Sequence, residues 1–351
     1  MNTEKFIHKK PFIIAGPCSA ESENQLLEIA KEIRAKVDVF RAGVWKPRTS
    51  PKSFEGVGKK GLEWLKNVKE LTGLKTITEV ATPAHVELCL HFGVDMIWIG
   101  ARTTVNPFYV QEIAEALEGT DIPVFVKNPI HPELSLWAGA IERLFNKGIT
   151  KLAAIHRGFF NYGSSIFRNE PKWEVPIELK RNFPKMPIIC DPSHLSGEAS
   201  LIFELSQIAM DLDMNGLMIE THQSPKEALS DSRQQITPKE LNKVLNKLIL
   251  RKIKFEDDNL NQELFKMRKL IDNLDKQMVE LLHYRTNFVK NIADFKLKNN
   301  ITIFQLERWY EILKLRKQQA NELEIDDKMV TDIFEVIHKY SIITQTQIMK
   351  K

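Results

Sequence analysis

Between Phe12 and His222 the chain carries eight near-continuous apolar runs separated by helical stretches, and each run leads into a polar or charged residue. The runs are FIIAGPC, VFRAGVW, KTITEV, MIWIGAR, PVFVKNP, KLAAIHRG, PIICDPSH and GLMIETH. Unbroken rather than alternating hydrophobicity is what strands buried on both faces require. Repeated eight times within roughly 250 residues, this alternation predicts a closed (β/α)8 barrel of the TIM type, an α/β fold. Such barrels place their chemistry at the C-terminal ends of the strands. Function is therefore read from Cys18, Arg41, Glu79, Arg102, Lys127, Arg157, His194 and Glu220.

A chain of 351 residues exceeds what one core usually absorbs, so a second, smaller domain is expected. Thr237 and Pro238 read as N-cap and first-turn residue of the helix that closes the barrel, with leucines at 241, 245 and 248. From Phe255 the polar stretch EDDNLNQ replaces that texture, which sets the expected boundary: barrel over 1–254, helical domain over 255–351. Leu264, Met267, Ile271, Leu274, Met278, Leu281, Leu282, Phe288, Val289, Ile292 and Phe295 then recur at three- and four-residue steps without Gly or Pro. They predict one helix to about Lys298, close to 58 Å long at about 1.5 Å per residue. A small domain cannot cover such a helix alone, so a homodimer is expected. Further helices are predicted over 304–320 and 326–348, the last opened by a capping aspartate. The second domain is thus an all-α three-helix unit.

Fifty Lys and Arg against 46 Asp and Glu leave only a mildly basic balance, with no long like-charge run to suggest nucleic acid. Cys18, Cys89 and Cys190 have no paired spacing, no segment resembles a signal peptide, and no apolar stretch approaches the roughly 20 residues of a membrane span. A soluble cytoplasmic protein without a membrane partner is expected.

In a closed barrel the seventh, eighth and first strands are neighbours, so Cys18, His194, Glu220 and Asp231, in the loop after the eighth strand, can converge. Thiolate, imidazole and two carboxylates suit a transition divalent ion such as Mn2+, Fe2+, Co2+ or Zn2+. Beside them the rim carries six cations: Arg41, Lys46, Arg48, Arg102, Lys127 and Arg157. Each alone reads as solvated surface charge; their shared position argues otherwise. A substrate pair with two phosphates and one carboxylate brings about −4 to −5 at pH 7, a load that six cations and a divalent ion match. Arginine meets such oxygens bidentately.

At these residues the chain resembles a known family. GPCS (16–19), FRAGVWKPRTSP (40–51), GAR (100–102), RG (157–158), DPSH (191–194), MIETH (218–222) and LSDSRQQ (229–235) are similar to the compact type I 3-deoxy-D-arabino-heptulosonate 7-phosphate (DAHP) synthases. The resemblance implies condensation of phosphoenolpyruvate with erythrose 4-phosphate, the entry to the shikimate pathway. It assigns the metal to Cys18, His194, Glu220 and Asp231. It assigns the phosphoenolpyruvate phosphate to Arg102, Lys127 and Arg157, its carboxylate to Arg41 and Lys46, and the aldose phosphate to Arg48, Thr49 and Thr104. Proton transfer falls to His194 or to a water held by Lys46. A Schiff base on Lys127 is the alternative activation. The family usually reads Lys-Arg-Gly after strand five and Glu-Arg-Gly after strand six, where this chain has Lys127-Asn128-Pro129 and His156-Arg157-Gly158. The sister 3-deoxy-D-manno-octulosonate 8-phosphate synthases, which take arabinose 5-phosphate, typically begin the second-strand motif Lys-Ala-Asn. Here it is Lys46-Pro47-Arg48-Thr49.

Over about 260–351, Arg268, Arg285, Lys296, Arg308, Ser341 and Gln345 resemble the all-α chorismate mutases, which convert chorismate to prephenate. Arg285 and Lys296 are eleven residues apart, close to three turns, so both project from one helix face, whereas Arg268 points about 100° away. The resemblance implies that Arg285 and the partner protomer's Arg268 bind carboxylates while Lys296 and Gln345 donate to the ether oxygen. Gln305 and Trp309 stand where many members have Asp and Glu for the ring hydroxyl. This departure leaves room for a non-catalytic domain that senses chorismate or prephenate and regulates the barrel.

Overall fold

The computed structural model describes residues 4–47, 52–253 and 255–350, which fall into two compact units, 1–253 and 254–351. In the first, β1 (Phe12–Gly16), β2 (Val39–Arg41), β3 (Lys75–Val80), β4 (Met96–Ile99), β5 (Val124–Lys127), β6 (Leu152–His156), β7 (Ile188–Cys190) and β8 (Gly216–Glu220) form a closed barrel. All pairings are parallel, and β8 returns to β1 with Gly16 opposite Glu220.

The strand pleat divides the apolar side chains between two compartments. Phe12, Ile14, Val39, Ile77, Met96, Trp98, Phe125, Ala153, Ile155, Ile189 and Met218 fill the barrel interior. Alternate residues such as Ile13, Phe40, Ile97, Val124 and Leu217 meet the helices in the larger outer core. This double burial explains the unbroken hydrophobic runs. At Gly16, φ +148°, a Cβ would lie 2.1 Å from the Arg41 carbonyl oxygen, so only glycine lets β1 leave the barrel so close to β2.

Helix starts follow the cap chemistry. Thr82, Asn106 and Asp191 cap helices whose first turn contains Pro83, Pro107 and Pro192. Thr237 and Glu240 form a reciprocal capping box on Pro238–Lys247.

The second unit is a long helix, Asp258–Lys298, a middle helix, Leu306–Glu322, and a last helix, Asp327–Met349. The last helix packs on both others. At 41 residues the long helix extends about 62 Å. Its buried residues are only Val289, Ala293 and Lys296, while Phe265, Leu270, Leu281 and Phe288 are each about two-thirds exposed.

Candidate active sites

Barrel closure brings three of the four expected donors together at the C-terminal rim. Cys18 lies two residues beyond β1, Glu220 is the last residue of β8, and Asp231 sits in the loop after it with φ +48°. Among the described residues, ligand atoms of Cys18, Glu220 and Asp231 all lie within 4.8 Å of one another. His194 lies outside that mutually close trio, with Nε2 3.7 Å from Glu220 Oε1. It is placed one turn into the short helix Pro192–Ser196 rather than at the strand end, because Asp191 and Pro192 start a helix at once.

The surrounding bonds fix these donors. Asp231 Oδ2 accepts from Cys18 Sγ at 3.1 Å, and Lys46 Nζ stands 2.9 Å from the same sulfur. Gln234 Nε2 donates to Glu220 Oε2 at 2.7 Å, and Gln235 Oε1 accepts from the Cys18 amide at 3.0 Å. Burial, reinforced by Glu220, pushes the Cys18 thiol up to about 12. Burial acts likewise on Glu220 and Asp231, but His194 and the neighbouring cations outweigh it and hold both carboxyls below their ordinary range. One buried and one partly exposed carboxylate beside a buried thiol are a donor set that fits a divalent cation.

Five of the six expected cations, Arg41, Lys46, Arg102, Lys127 and Arg157, lie among the described residues at or beyond strand ends. Arg41, 1% exposed, donates from Nη2 to Glu220 Oε1 at 2.9 Å, while its buried Nε and Nη1 have no protein partner. Lys127 Nζ pairs with Asp191 Oδ2 at 2.9 Å. Both cations lie over the Trp98 ring, at 5.0 and 5.5 Å. Arg157 is depressed to about 10, chiefly by burial, which Asp191 partly offsets and Arg168 and Arg102 reinforce. Arg102 itself is exposed on the short helix Ala101–Thr104. Thr104 is buried and its hydroxyl donates to the Gly100 carbonyl at 3.0 Å. Arg48 and Thr49 lie outside the described residues.

Three rim residues escaped the sequence reading. Asp191 accepts from the His194 amide through Oδ1, and its Oδ2 lies 2.8 Å from His194 Nδ1 as well as on Lys127. Arg168 donates to Asp231 Oδ1 at 2.9 Å. Asn128, at the first departure from the family pattern, accepts from the Arg157 amide at 2.7 Å and donates to the Gly158 carbonyl at 2.8 Å, so it stitches the β5 and β6 ends together. Only the DPSH string offered a signal, and a helix cap explains its aspartate equally well.

In the helical unit Lys296, Ser341 and Gln345 are all buried. Arg285 Nη1 donates to Ser341 Oγ at 2.7 Å, and Lys296 Nζ donates to the Ile303 carbonyl at 2.7 Å. Trp309 stacks on His338 with centroids 4.0 Å apart. Among the described residues of this unit, the buried side-chain polar atoms without a partner are His338 Nε2 and Gln345 Oε1. Arg308 is exposed and pairs with Glu311 at 2.5 Å; Arg268 is exposed on the long helix, and Gln305 is the exposed N-cap position of the middle helix.

Residues 7–254 match the DAHP synthetase I family and residues 267–346 match chorismate mutase type II. The chain is 33% identical over 225 residues to a phospho-2-dehydro-3-deoxyheptonate aldolase of Thermotoga maritima, a match covering 64% of each protein. It is 28% identical to a 2-dehydro-3-deoxyphosphooctonate aldolase of Wolinella succinogenes, over 68% of this chain and 97% of that one. Among solved structures, a crystal structure of Thermotoga maritima DAHP synthase superposes with a TM-score of 0.60 at 28% identity, covering 75% of this chain and 70% of that chain.

Proposed function

Because this chain belongs to the DAHP synthetase I family and carries a type II chorismate mutase region behind its barrel, we propose that it is a bifunctional enzyme. The barrel condenses phosphoenolpyruvate with erythrose 4-phosphate; the helical unit converts chorismate to prephenate. The observation that carries the first activity is a thiol and two carboxylates gathered beside Arg41, a fully buried guanidinium with two unpartnered donors. A buried donor without a protein partner calls for a ligand, an ion or a water.

Arg41 and Lys46 receive the phosphoenolpyruvate carboxylate, while Arg102, Lys127 and Arg157 receive its phosphate. Arg48, Thr49 and Thr104 receive the aldose phosphate. Cys18, His194, Glu220 and Asp231 would hold a divalent ion, Mn2+ foremost, which would supply Lewis-acid polarisation of the aldehyde oxygen. The cationic wall holds C3 of the enol ether against the aldehyde carbon, where the new carbon–carbon bond forms. Water then adds at C2 and the C2–O bond to phosphate breaks. His194, with Nδ1 2.8 Å from Asp191, or a water on Lys46 moves the protons. Asp191, held well below the ordinary carboxyl range by His194 and Lys127 although burial opposes this, pairs with Lys127 Nζ at 2.9 Å. A Schiff base on Lys127 would have to break that pair.

The motif from Lys46 to Thr49 favours the four-carbon aldose over arabinose 5-phosphate, the substrate that the Wolinella relative would suggest. Phosphoenolpyruvate consumption should be fastest with erythrose 4-phosphate and should stop on addition of chelator. Preferential turnover of arabinose 5-phosphate overturns the aldose assignment, and undiminished turnover in chelator overturns the metal.

In the helical unit Arg285 and Arg268 hold the substrate carboxylates, Arg308 and Ser341 support them, and Lys296 and Gln345 stabilise charge at the ether oxygen. Arg268 reaches this site from a second protomer, and the exposed apolar length of the long helix is the surface that a second copy covers. Among the described residues no helix is long and apolar enough to cross a membrane. Three free, buried thiols suit a reducing cytoplasm.

A further inference from the structure

Two consecutive residues of the loop after β6, Arg168 and Asn169, tie the anion side of the rim to its metal side. Their backbone is docked on the short helix that carries His194: the Arg168 amide donates to the Ser196 carbonyl and the Asn169 amide to the Leu195 carbonyl, both at 3.0 Å. Reciprocal bonds between Phe159 and Glu170, at 2.9 and 2.8 Å, close the loop on itself. Gly158 and Gly197 make this docking possible. A Cβ on either would lie 2.8 Å from the Asn169 carbonyl or 2.6 Å from Arg168 Cβ.

From this strap the two side chains diverge. Asn169, 5% exposed, accepts from Arg157 Nη1 at 2.7 Å through Oδ1 and donates to the His194 carbonyl at 2.6 Å through Nδ2. With both ends engaged, its amide plane cannot turn without breaking a buried hydrogen bond. Arg168 Nη1 donates to Asp231 Oδ1 at 2.9 Å and to Gln234 Oε1 at 2.7 Å, and Gln234 in turn holds Glu220 Oε2. Asp231 meets Arg168 through Oδ1 and Cys18 Sγ through Oδ2. One dipeptide thus touches Arg157 on one side and positions His194, Asp231 and, through Gln234, Glu220 on the other.

We infer that Arg168 and Asn169 are positioning residues that couple phosphate binding at Arg157 to metal binding at Cys18, His194, Glu220 and Asp231. The inference rests on the synthase reading above. When a phosphate fixes the Arg157 guanidinium, Asn169 transmits that fixation to the turn bearing His194, and the metal site is pre-formed. Linkage makes the effect reciprocal: the metal tightens the phosphate by the same factor.

The test uses the full chain and measures the Mn2+ dissociation constant by competition with a chromogenic chelator, with and without saturating phosphoenolpyruvate. In the wild type phosphoenolpyruvate should tighten Mn2+ by about tenfold, within the usual range for coupled sites. Asn169→Ala should bind Mn2+ alone nearly as well and lose most of the enhancement. Asn169→Asp keeps an acceptor for Arg157 but has no donor for the His194 carbonyl, and it should lose the enhancement too. Full enhancement in both variants means that direct attraction between anion and metal suffices, and overturns the coupling role. Wild-type protein that binds Mn2+ without any enhancement overturns the coupling yet leaves the synthase reading standing; absence of Mn2+ binding sinks both.

Discussion

His156 ends β6 where the family usually has a glutamate, and its imidazole is fully buried among Trp137, Phe159 and Trp173. Burial lowers it from 6.5 to about 3, with the Pro171 backbone offsetting only part of the effect. The neutral ring therefore contributes stability that is fully present above pH 6.5 and is lost as pH falls towards 3. At pH 5 the loss is about 2 kcal/mol, from 1.36 kcal/mol per pH unit. Urea unfolding followed by tryptophan fluorescence should show wild type losing that much more than His156→Phe between pH 7.5 and 5; parallel losses would place the charge elsewhere. At this scale the sequence was partly legible. Cys18, Glu220 and Asp231 follow β1 and β8, whose positions the hydrophobic pattern marks. Asn128, Arg168 and Asn169 act through loop geometry that no periodicity encodes. Trp98 reads simply as core although it underlies two cations.

At the scale of elements, the eight apolar runs became eight strands because closure buries both faces, and cap residues set helix starts within a residue or two. Long-helix arithmetic addresses direction and is silent about distance. Arg285 and Lys296 share an azimuth, but eleven residues separate them by about 16 Å along the axis. One accordingly meets Ser341 on the last helix, and the other meets the Ile303 carbonyl in the turn. The same helix exposes Leu270, Leu274, Leu281 and Phe288, each more than half accessible. Contiguous apolar surface of this kind marks an interface. The protein should sediment as a dimer or a multiple of one, and Leu274→Glu with Leu281→Glu should shift it towards smaller species. A wild-type monomer at micromolar concentration would remove the partner protomer's Arg268 from the proposed mutase site.

For the whole molecule, two folds with different chemistry should respond to different insults. The barrel gathers a sulfur and two carboxylates, whereas the proposed helical site draws on Arg285, Lys296 and Gln345, which need no ion. Chelator or Cys18→Ser should therefore abolish phosphoenolpyruvate consumption and leave chorismate loss intact. Lys296→Ala should slow chorismate loss by roughly 10²–10³-fold, the usual cost of removing one donor from developing negative charge. Because Lys296 belongs to the helical unit, phosphoenolpyruvate consumption should stay at the wild-type rate. Trp309 is what makes this pair of assays decisive. Stacked on His338, it offers no acceptor to a ring hydroxyl, so a domain that only binds chorismate or prephenate is the competing account. A sensing domain gives equal, negligible chorismate loss in wild type and Lys296→Ala, while prephenate changes the synthase rate of the wild type alone. A catalytic domain gives the separated losses, one activity falling without the other.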